Sequence, residues 1–232
     1  MVITIDGPVA SGKSTASRRL AQRLGYFYLY SGMIYRALAY ILSDRYGYAV
    51  DQIKDPLEKD VRDVLDPARF IYRYDDQYGV CIFYDGADVT PFLKGSFIDK
   101  LVSEVAMNAN VRLLIRRLQH QLAAEHDLVA EGRDMGTVVF PDADFKFFLT
   151  ASHEVRAQRW QRMQRKRGTE FSIDEAKKRV EERDQRDCAR SIAPLCVPVG
   201  AIIVDNSGLT VDEVIDRMLQ EIRQCNADES TG

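Results

Sequence analysis

The sequence predicts an α/β fold: a parallel sheet of five strands flanked by helices, interrupted by a small antiparallel insert. Three observations carry this reading. Short apolar, β-branched runs alternate with stretches of helical period, as parallel strands joined by crossover helices do. The first run, Val2-Ile-Thr-Ile-Asp6, feeds straight into a glycine-bearing loop and then into a helical pattern. Residues 70–90 break the alternation with two runs of aromatic and β-branched residues around a turn, which is a hairpin signature.

Taken in order, Val2–Asp6 reads as a buried strand and Ser14–Leu24 as a helix closed by Gly25. Tyr26–Tyr30 is a second strand ending at Ser31-Gly32, and Met33–Leu42 reads as a helix. Phe70–Thr90 is the antiparallel unit, with Tyr74–Gly79 as its turn. Helical patterns at Ser96–Met107 and Asn110–His126 precede a third strand at Leu128–Ala130. Phe145–Leu149 and Ala201–Val204 are the fourth and fifth strands, with a helical pattern at Ser152–Arg167 after the fourth. Arg159–Arg190 is dense in charge and reads as a solvated helical pair, or as a mobile basic cover over a phosphate site. Thr210–Gln224 is the last helix, opened by a Thr-x-x-Glu capping box at Thr210 and Glu213, and Asn226–Gly232 reads as a frayed tail.

Composition excludes several classes. The 232 residues suffice to bury a full core with room for insertions. No signal-peptide pattern opens the chain, and no apolar run approaches the roughly 20 residues that cross a bilayer, so no membrane association is expected. Cys81, Cys188, Cys196 and Cys225 show no Cys-x-x-Cys spacing, which points to idle thiols in a reducing cytoplasm rather than to zinc or a redox pair. A net charge of −3 argues against a nucleic-acid partner. Arginine outnumbers lysine 23 to 9, a bias that suits bidentate phosphate contacts.

The chemistry is concentrated in four places. Gly7-Pro8-Val9-Ala10-Ser11-Gly12-Lys13-Ser14-Thr15 is a P-loop in its required context of strand before and helix after. Gly7 and Gly12 allow the tight bend that brings backbone N–H groups against phosphate oxygens, and the helix N-terminus adds partial positive charge. Lys13 supplies a full charge for the β/γ-phosphates and Ser14 a hydroxyl ligand for Mg²⁺. The bland alternative, a glycine turn between strand and helix, does not account for the lysine and the flanks together. Ser31-Gly-Met-Ile-Tyr-Arg36 and Glu131-Gly-Arg133-Asp134-Met-Gly-Thr-Val-Val-Phe-Pro-Asp142 follow the second and third strands, placing hydroxyl, guanidinium and carboxylate groups at strand carboxyl ends, where open α/β sheets bind ligands. Arg183, Asp187 and Arg190 share one helical face, read equally well as ligand contacts or as surface ion pairing.

With these residues in view, the sequence resembles the bacterial cytidylate kinases over nearly its whole length. The resemblance rests on Gly7–Thr15, Ser31–Arg36, Asp88-Val-Thr90, Asn110-Val-Arg112, Glu131–Asp142, Arg183–Asp187 and Ala193-Pro-Leu195. It implies a P-loop core, an inserted monophosphate-binding domain with a small antiparallel sheet, and a short helical lid. The corresponding division is core at 1–35, insert at 36–100, core at 101–157, lid at 158–185, core at 186–225 and tail at 226–232. It implies an ATP- and Mg²⁺-dependent kinase that phosphorylates CMP and dCMP, acting as a cytoplasmic monomer. Ser31, Arg36, Arg133 and Arg190 would hold the acceptor phosphate. Ser103, Arg112 and Asp134 would read the cytosine, and Arg183 and Asp187 would reach the ribose and phosphates. Lys13, Arg133, Arg183 and Arg159 would flank the transferred group, with Arg156 near the donor nucleotide. A carboxylate, an arginine and a hydroxyl match cytosine's N4 donors and its N3 and O2 acceptors.

The chain departs from the family pattern at Tyr30, where aspartate is usual, and at Lys94 and Trp160, where arginine is usual; Gly200 stands where an aspartate often precedes the last strand. Tyr30 offers no carboxylate to orient Arg36, so Arg36 is expected to be loosely held and an aspartate at position 30 to lower KM for CMP. Three other readings stay open on the residues alone. Another small-molecule P-loop kinase explains the loop but not the Gly-Arg-Asp-Met-Gly-Thr run. A nucleotide-binding regulator without turnover, or a scaffold module, would bind ATP without acceptor dependence.

Overall fold

The apolar runs of the sequence become two sheets in the computed structural model, which describes residues 1–229. In chain order the elements are β1 (Val2–Asp6), α1 (Lys13–Leu24), β2 (Phe27–Tyr30), α2 (Ser31–Tyr46), α3 (Glu58–Val64), β3 (Phe70–Asp75), β4 (Gly79–Tyr84) and β5 (Ala87–Asp88). There follow α4 (Ser96–Val105), α5 (Ala109–Glu125), β6 (Leu128–Glu131), β7 (Phe145–Thr150), α6 (His153–Lys166), α7 (Ile173–Cys188), β8 (Ile202–Asp205) and α8 (Val211–Glu229). One sheet has five parallel strands and the other has three antiparallel ones.

The chain divides into two units. The first comprises Met1–Tyr26 and the chain from Leu128 onward. Its strands run β6-β1-β7-β8, with β1 central: Ile3 and Ile5 are fully buried on it, as are Val129 on β6 and Phe147 and Leu149 on β7. Strands buried on both faces read as continuous apolar runs, which is why they were legible in the sequence. Leu20 and Ala21 of α1 and Met218 of α8 complete this core; each large aliphatic side chain buried there contributes about 1.5–3 kcal/mol.

The second unit is Phe27–Asp127. Ile34, Leu38, Ile41 and Leu42 of α2 are fully buried, together with Ile82 of β4, Leu101 of α4 and Ile115 of α5. β3 and β4 pair antiparallel from Phe70–Tyr84 to Asp75–Gly79, so the hairpin expected from residues 70–90 is present. The carboxylate of Asp75 accepts the N–H groups of Gln77 and Tyr78, which shapes its turn.

Side-chain caps fix several helix starts. Ser152 accepts from Val155 at α6, Ser172 and Glu175 form a reciprocal capping box at α7, and Thr210 and Glu213 do so at α8. Several elements depart from the sequence expectation, α2 among them, which starts at Ser31 and runs on to Tyr46 rather than spanning Met33–Leu42. α3 has only seven residues, too short for a clear helical period, although Val61 and Val64 are buried. α8 continues past Gln224 to Glu229, so its helix takes in the first part of the expected tail, whose residues 230–232 lie outside the described residues. Among the described residues no helix is long and apolar enough to cross a membrane.

Candidate active site

In the first unit, β1 ends in a loop that only glycine can complete. A Cβ on Gly7 would stand 2.1 Å from the Leu149 carbonyl oxygen, so β1 and β7 could not keep their spacing with any other residue there. Gly12 is left-handed (φ +93°) where it caps α1, and Ala10 takes φ +57°, a conformation that costs a residue with a Cβ roughly 1–2 kcal/mol. The first turn of α1, starting at Lys13, therefore points its N–H groups into this loop.

Lys13 is buried, and its Nζ donates to the Pro8 carbonyl at 2.7 Å and to Ser11 Oγ at 3.3 Å. Burial, then the Arg133 charge, hold its pKa well below the usual lysine range, against the opposing pull of Glu131, Asp6 and Asp187. Ser14 Oγ donates to Glu131 Oε1 at 2.6 Å, which ties the loop to the end of β6. Asp6, at the end of β1, accepts the N–H groups of Met135 and Gly136 at 2.9 and 2.7 Å. Burial raises the Asp6 carboxyl to about 6 despite those two bonds. The segment it holds, Met135–Val139, is a turn of π-helix, with the Val139 N–H donating to the Asp134 carbonyl at 3.1 Å. Asp134 is itself buried at the head of this turn.

Asp187 is the electrostatic centre of the unit. It is fully buried, and three guanidiniums surround it: Arg133 Nε at 2.9 Å, Arg190 Nη2 at 2.7 Å and Arg183 Nε at 3.4 Å. Burial alone would raise its pKa; the three arginines overcome that and hold it below the usual carboxylate range. The stripe at 183, 187 and 190 is thus a half-buried cluster, not surface ion pairing.

α6 lays two arginines against the loop. Arg156 is buried, with Nε donating to the Ala151 carbonyl at 3.1 Å and Nη1 to the Val9 carbonyl at 3.2 Å, and it pairs with Asp184. Arg159 Nη1 donates to Asn206 Oδ1 at 2.8 Å and to the Ser11 carbonyl at 3.3 Å, and Nη2 donates to the Asn206 carbonyl at 3.1 Å. Asn206 Nδ2 donates to the same Ser11 carbonyl at 2.8 Å.

These features fit one family. A sequence model of the cytidylate kinases matches residues 3–224. The chain belongs to the cytidylate kinase family. A cytidylate kinase from Thermodesulfovibrio yellowstonii is 39% identical over 223 residues, covering 96% of this chain and 98% of that one. An uncharacterised protein from Eubacterium ventriosum, of solved structure, aligns over 96% of this chain and 98% of its own with a TM-score of 0.52; at 12% identity that likeness is one of fold.

The second unit carries the remaining residues assigned by the resemblance. Ser31 Oγ accepts from Gln119 Nε2 at 2.9 Å, both side chains being buried. Arg36 donates to the Leu93 carbonyl at 3.1 Å and forms an ion pair with Asp99, whose own carbonyl accepts from Ser103 Oγ at 2.9 Å. Arg112 donates to the Ala106 carbonyl at 3.1 Å and lies over the Tyr35 ring. The expectation that Arg36 is loosely held because position 30 is tyrosine is therefore corrected: Asp99 supplies the carboxylate, from a helix more than sixty residues away in the chain.

Asp6, Glu131, Asp184 and Asn206 have no site role assigned from sequence, although Glu131 and Asp184 lie inside the quoted motifs, yet each bonds directly to the loop or to the turn beside it. Their signal was present only as acidic or amide residues at strand ends and on a charged helix. For Mg²⁺ the donor set is suitable: the Ser14 hydroxyl and the Glu131 carboxylate are hard oxygen donors held together at 2.6 Å.

Proposed function

We propose that this kinase transfers the γ-phosphoryl group of ATP to CMP or dCMP, giving ADP and CDP or dCDP. The observation that carries the reading is the convergence of Arg133, Arg183 and Arg190 on one buried carboxylate, within electrostatic reach of the P-loop lysine. Such a cluster keeps several fixed positive charges where negative charge builds up on a phosphoryl group in flight.

The reaction needs little from the side chains beyond charge and position. An oxygen of the acceptor phosphate attacks the γ-phosphorus in line as the bond to the β-γ bridging oxygen breaks, and ADP leaves with that electron pair. The attacking oxygen is already anionic at neutral pH, so no general base is required. Lys13, Arg133, Arg183 and Arg159 would neutralise charge around the transferred group, and Gly7–Thr15 would cradle the donor phosphates. Mg²⁺, held from the protein side by Ser14, would neutralise β/γ oxygens when bound with ATP. Ser31, Arg36, Ser103, Arg112, Arg133, Asp134, Arg183, Asp187 and Arg190 would contact CMP, with Asp134 and Arg112 reading the base.

On this reading residues 36–100 form the monophosphate-binding insert, and 158–185, which span most of α6 and α7, form the lid that excludes water during transfer. The protein would act as a cytoplasmic monomer, with no nucleic-acid or membrane partner. ADP release with ATP and Mg²⁺ across a panel of monophosphates tests the assignment. CMP and dCMP should be turned over fastest, with UMP lower by about tenfold or more in kcat/KM because its O4 faces a carboxylate. Equal values for CMP and AMP would overturn the cytosine reading, and ADP release independent of acceptor would overturn the transferase.

A further inference from the structure

One ion pair grips the backbone N–H and the carbonyl of a single P-loop residue, Val9, and so holds the two peptide groups that flank it. Asp184 Oδ1 accepts the Val9 N–H at 3.1 Å, while Arg156 Nη1 donates to the Val9 carbonyl at 3.2 Å. Asp184 Oδ2 and Arg156 Nη1 pair with each other, which closes the clamp. A third bond, from Arg156 Nε to the Ala151 carbonyl at 3.1 Å, anchors the guanidinium to the chain just past β7. The two side chains come from different helices, α6 and α7, and both are largely buried. The resemblance places Arg156 beside the donor nucleotide; the structure engages its Nε and Nη1 with protein oxygens.

We infer that Asp184 and Arg156 are positioning residues for the P-loop. They fix the peptide groups on both sides of Val9, and through them the left-handed turns at Ala10 and Gly12 that aim the loop's N–H groups at a phosphate. This rests on the reading of Gly7–Thr15 as the ATP site. Ala10 needs such support, because a left-handed conformation at a residue with a Cβ persists only where its surroundings over-determine it. Charge works the other way: a carboxylate beside a triphosphate repels it, and Arg156 offsets that repulsion. Geometry and charge thus have opposite signs in ATP affinity, and an uncharged isostere separates them.

The experiment compares Asp184→Asn, which keeps an oxygen acceptor for the Val9 N–H while giving up the charge and the bond to Arg156, with Asp184→Ala, which removes all three. Asp184→Ala should raise KM for ATP about tenfold or more and leave KM for CMP within about twofold, while Asp184→Asn stays within about threefold for ATP. Without nucleotide, amide hydrogen exchange at Val9 and Ala10 should be faster in Asp184→Ala than in the parent, with Asp184→Asn close to the parent. If Asp184→Ala does not fold, Arg156→Met takes its place with the same readouts. Unchanged exchange, a lowered KM for ATP in both Asp184 variants, or a parallel rise of both KM values would each overturn the inference. Activity surviving in Lys13→Ala would instead overturn the assignment of the ATP site, whatever the exchange shows.

Discussion

Gln119 donates its Nε2–H to Ser31 Oγ at 2.9 Å, a bond between two buried side chains 88 residues apart in the chain. Accepting that bond occupies one lone pair of the serine and restricts where its own proton can point. If Ser31 donates to the acceptor phosphate, Gln119 sets the direction of that donation. Gln119→Leu should then raise KM for CMP about fivefold to tenfold, the size of one neutral hydrogen bond, with kcat and KM for ATP little changed. Combining it with Ser31→Ala checks the route. The double variant should be no worse than Ser31→Ala alone, and additive losses would show that Gln119 acts elsewhere.

Lys13 shows function opposing stability. Its ammonium is buried, and burial, followed by the charge of Arg133, is what lowers its pKa. With phosphates absent, that charge costs stability. Lys13→Met should abolish turnover yet raise the thermal midpoint of the nucleotide-free protein by a few degrees, on the order of 1 kcal/mol. The pH dependence follows from the sign of the shift. The folded protein binds fewer protons at this site than the unfolded chain, so its stability rises with pH in the alkaline range, and the variant should lose that rise. A lower midpoint in Lys13→Met would mean that the bonds to Pro8 and Ser11 outweigh the burial of charge.

The parts of this architecture carried by local sequence were legible before the structure. β1 and the P-loop, the hairpin at β3 and β4, and the capping box of α8 all depend on neighbours within a few residues. What stayed hidden depends on distant partners. Asp184 reads as one more acid on a charged helix until α7 brings it to Val9, 175 residues away. Asn206 likewise reads as a turn residue until it meets the Ser11 carbonyl. The π-helical turn after Asp134 is also unreadable from period alone, since two backbone bonds to a buried Asp6 hold it in place. Site chemistry was visible as residue types at strand ends; the bonds that orient those residues were not.

Asp6 gives an acid-side counterpart to Lys13. Burial raises its carboxyl to about 6 from an unfolded value near 3.8. A raised folded pKa means that its contribution to stability is fully present below about pH 4 and is lost as pH rises through about 6, at most about 3 kcal/mol. Asp187 runs the opposite way, since its depressed pKa makes its contribution fade as pH falls. Subtracting the pH profile of Asp6→Asn from that of the parent isolates the first effect. Urea denaturation between about pH 4 and about pH 7 should show the parent losing stability relative to the variant as pH rises. The variant itself will be less stable at low pH, because an amide cannot accept from Met135 and Gly136 with both of its ends. A flat difference profile would show that Asp6 titrates alike in the folded and unfolded states.

Tyr30 is where the structure reverses a sequence argument. An aspartate at this position would be valuable if Arg36 lacked an acidic partner, but Arg36 already pairs with Asp99 and donates to the Leu93 carbonyl. The tyrosine also has packing of its own. Its ring covers Gly32, where a Cβ would come within 2.7 Å of Cε2, and stacks on Tyr28 at 6.3 Å between centroids. The backbone beneath is fixed by Tyr72, whose hydroxyl accepts the Tyr30 N–H at 2.8 Å and donates to the Tyr28 carbonyl at 3.1 Å. Tyr30→Asp removes the ring contacts, adds a negative charge one residue before Ser31, and gains little in orientation. KM for CMP should therefore rise, by about twofold to fivefold, with kcat little changed, because lost packing and added repulsion act on bound substrate and transition state alike. Asp99→Ala is the matching control. It removes the carboxylate that does orient Arg36, so its KM for CMP should rise further than that of Tyr30→Asp. A lower KM in Tyr30→Asp would show that Asp99 leaves Arg36 poorly aimed, and a smaller effect of Asp99→Ala would show that this ion pair does not serve the acceptor.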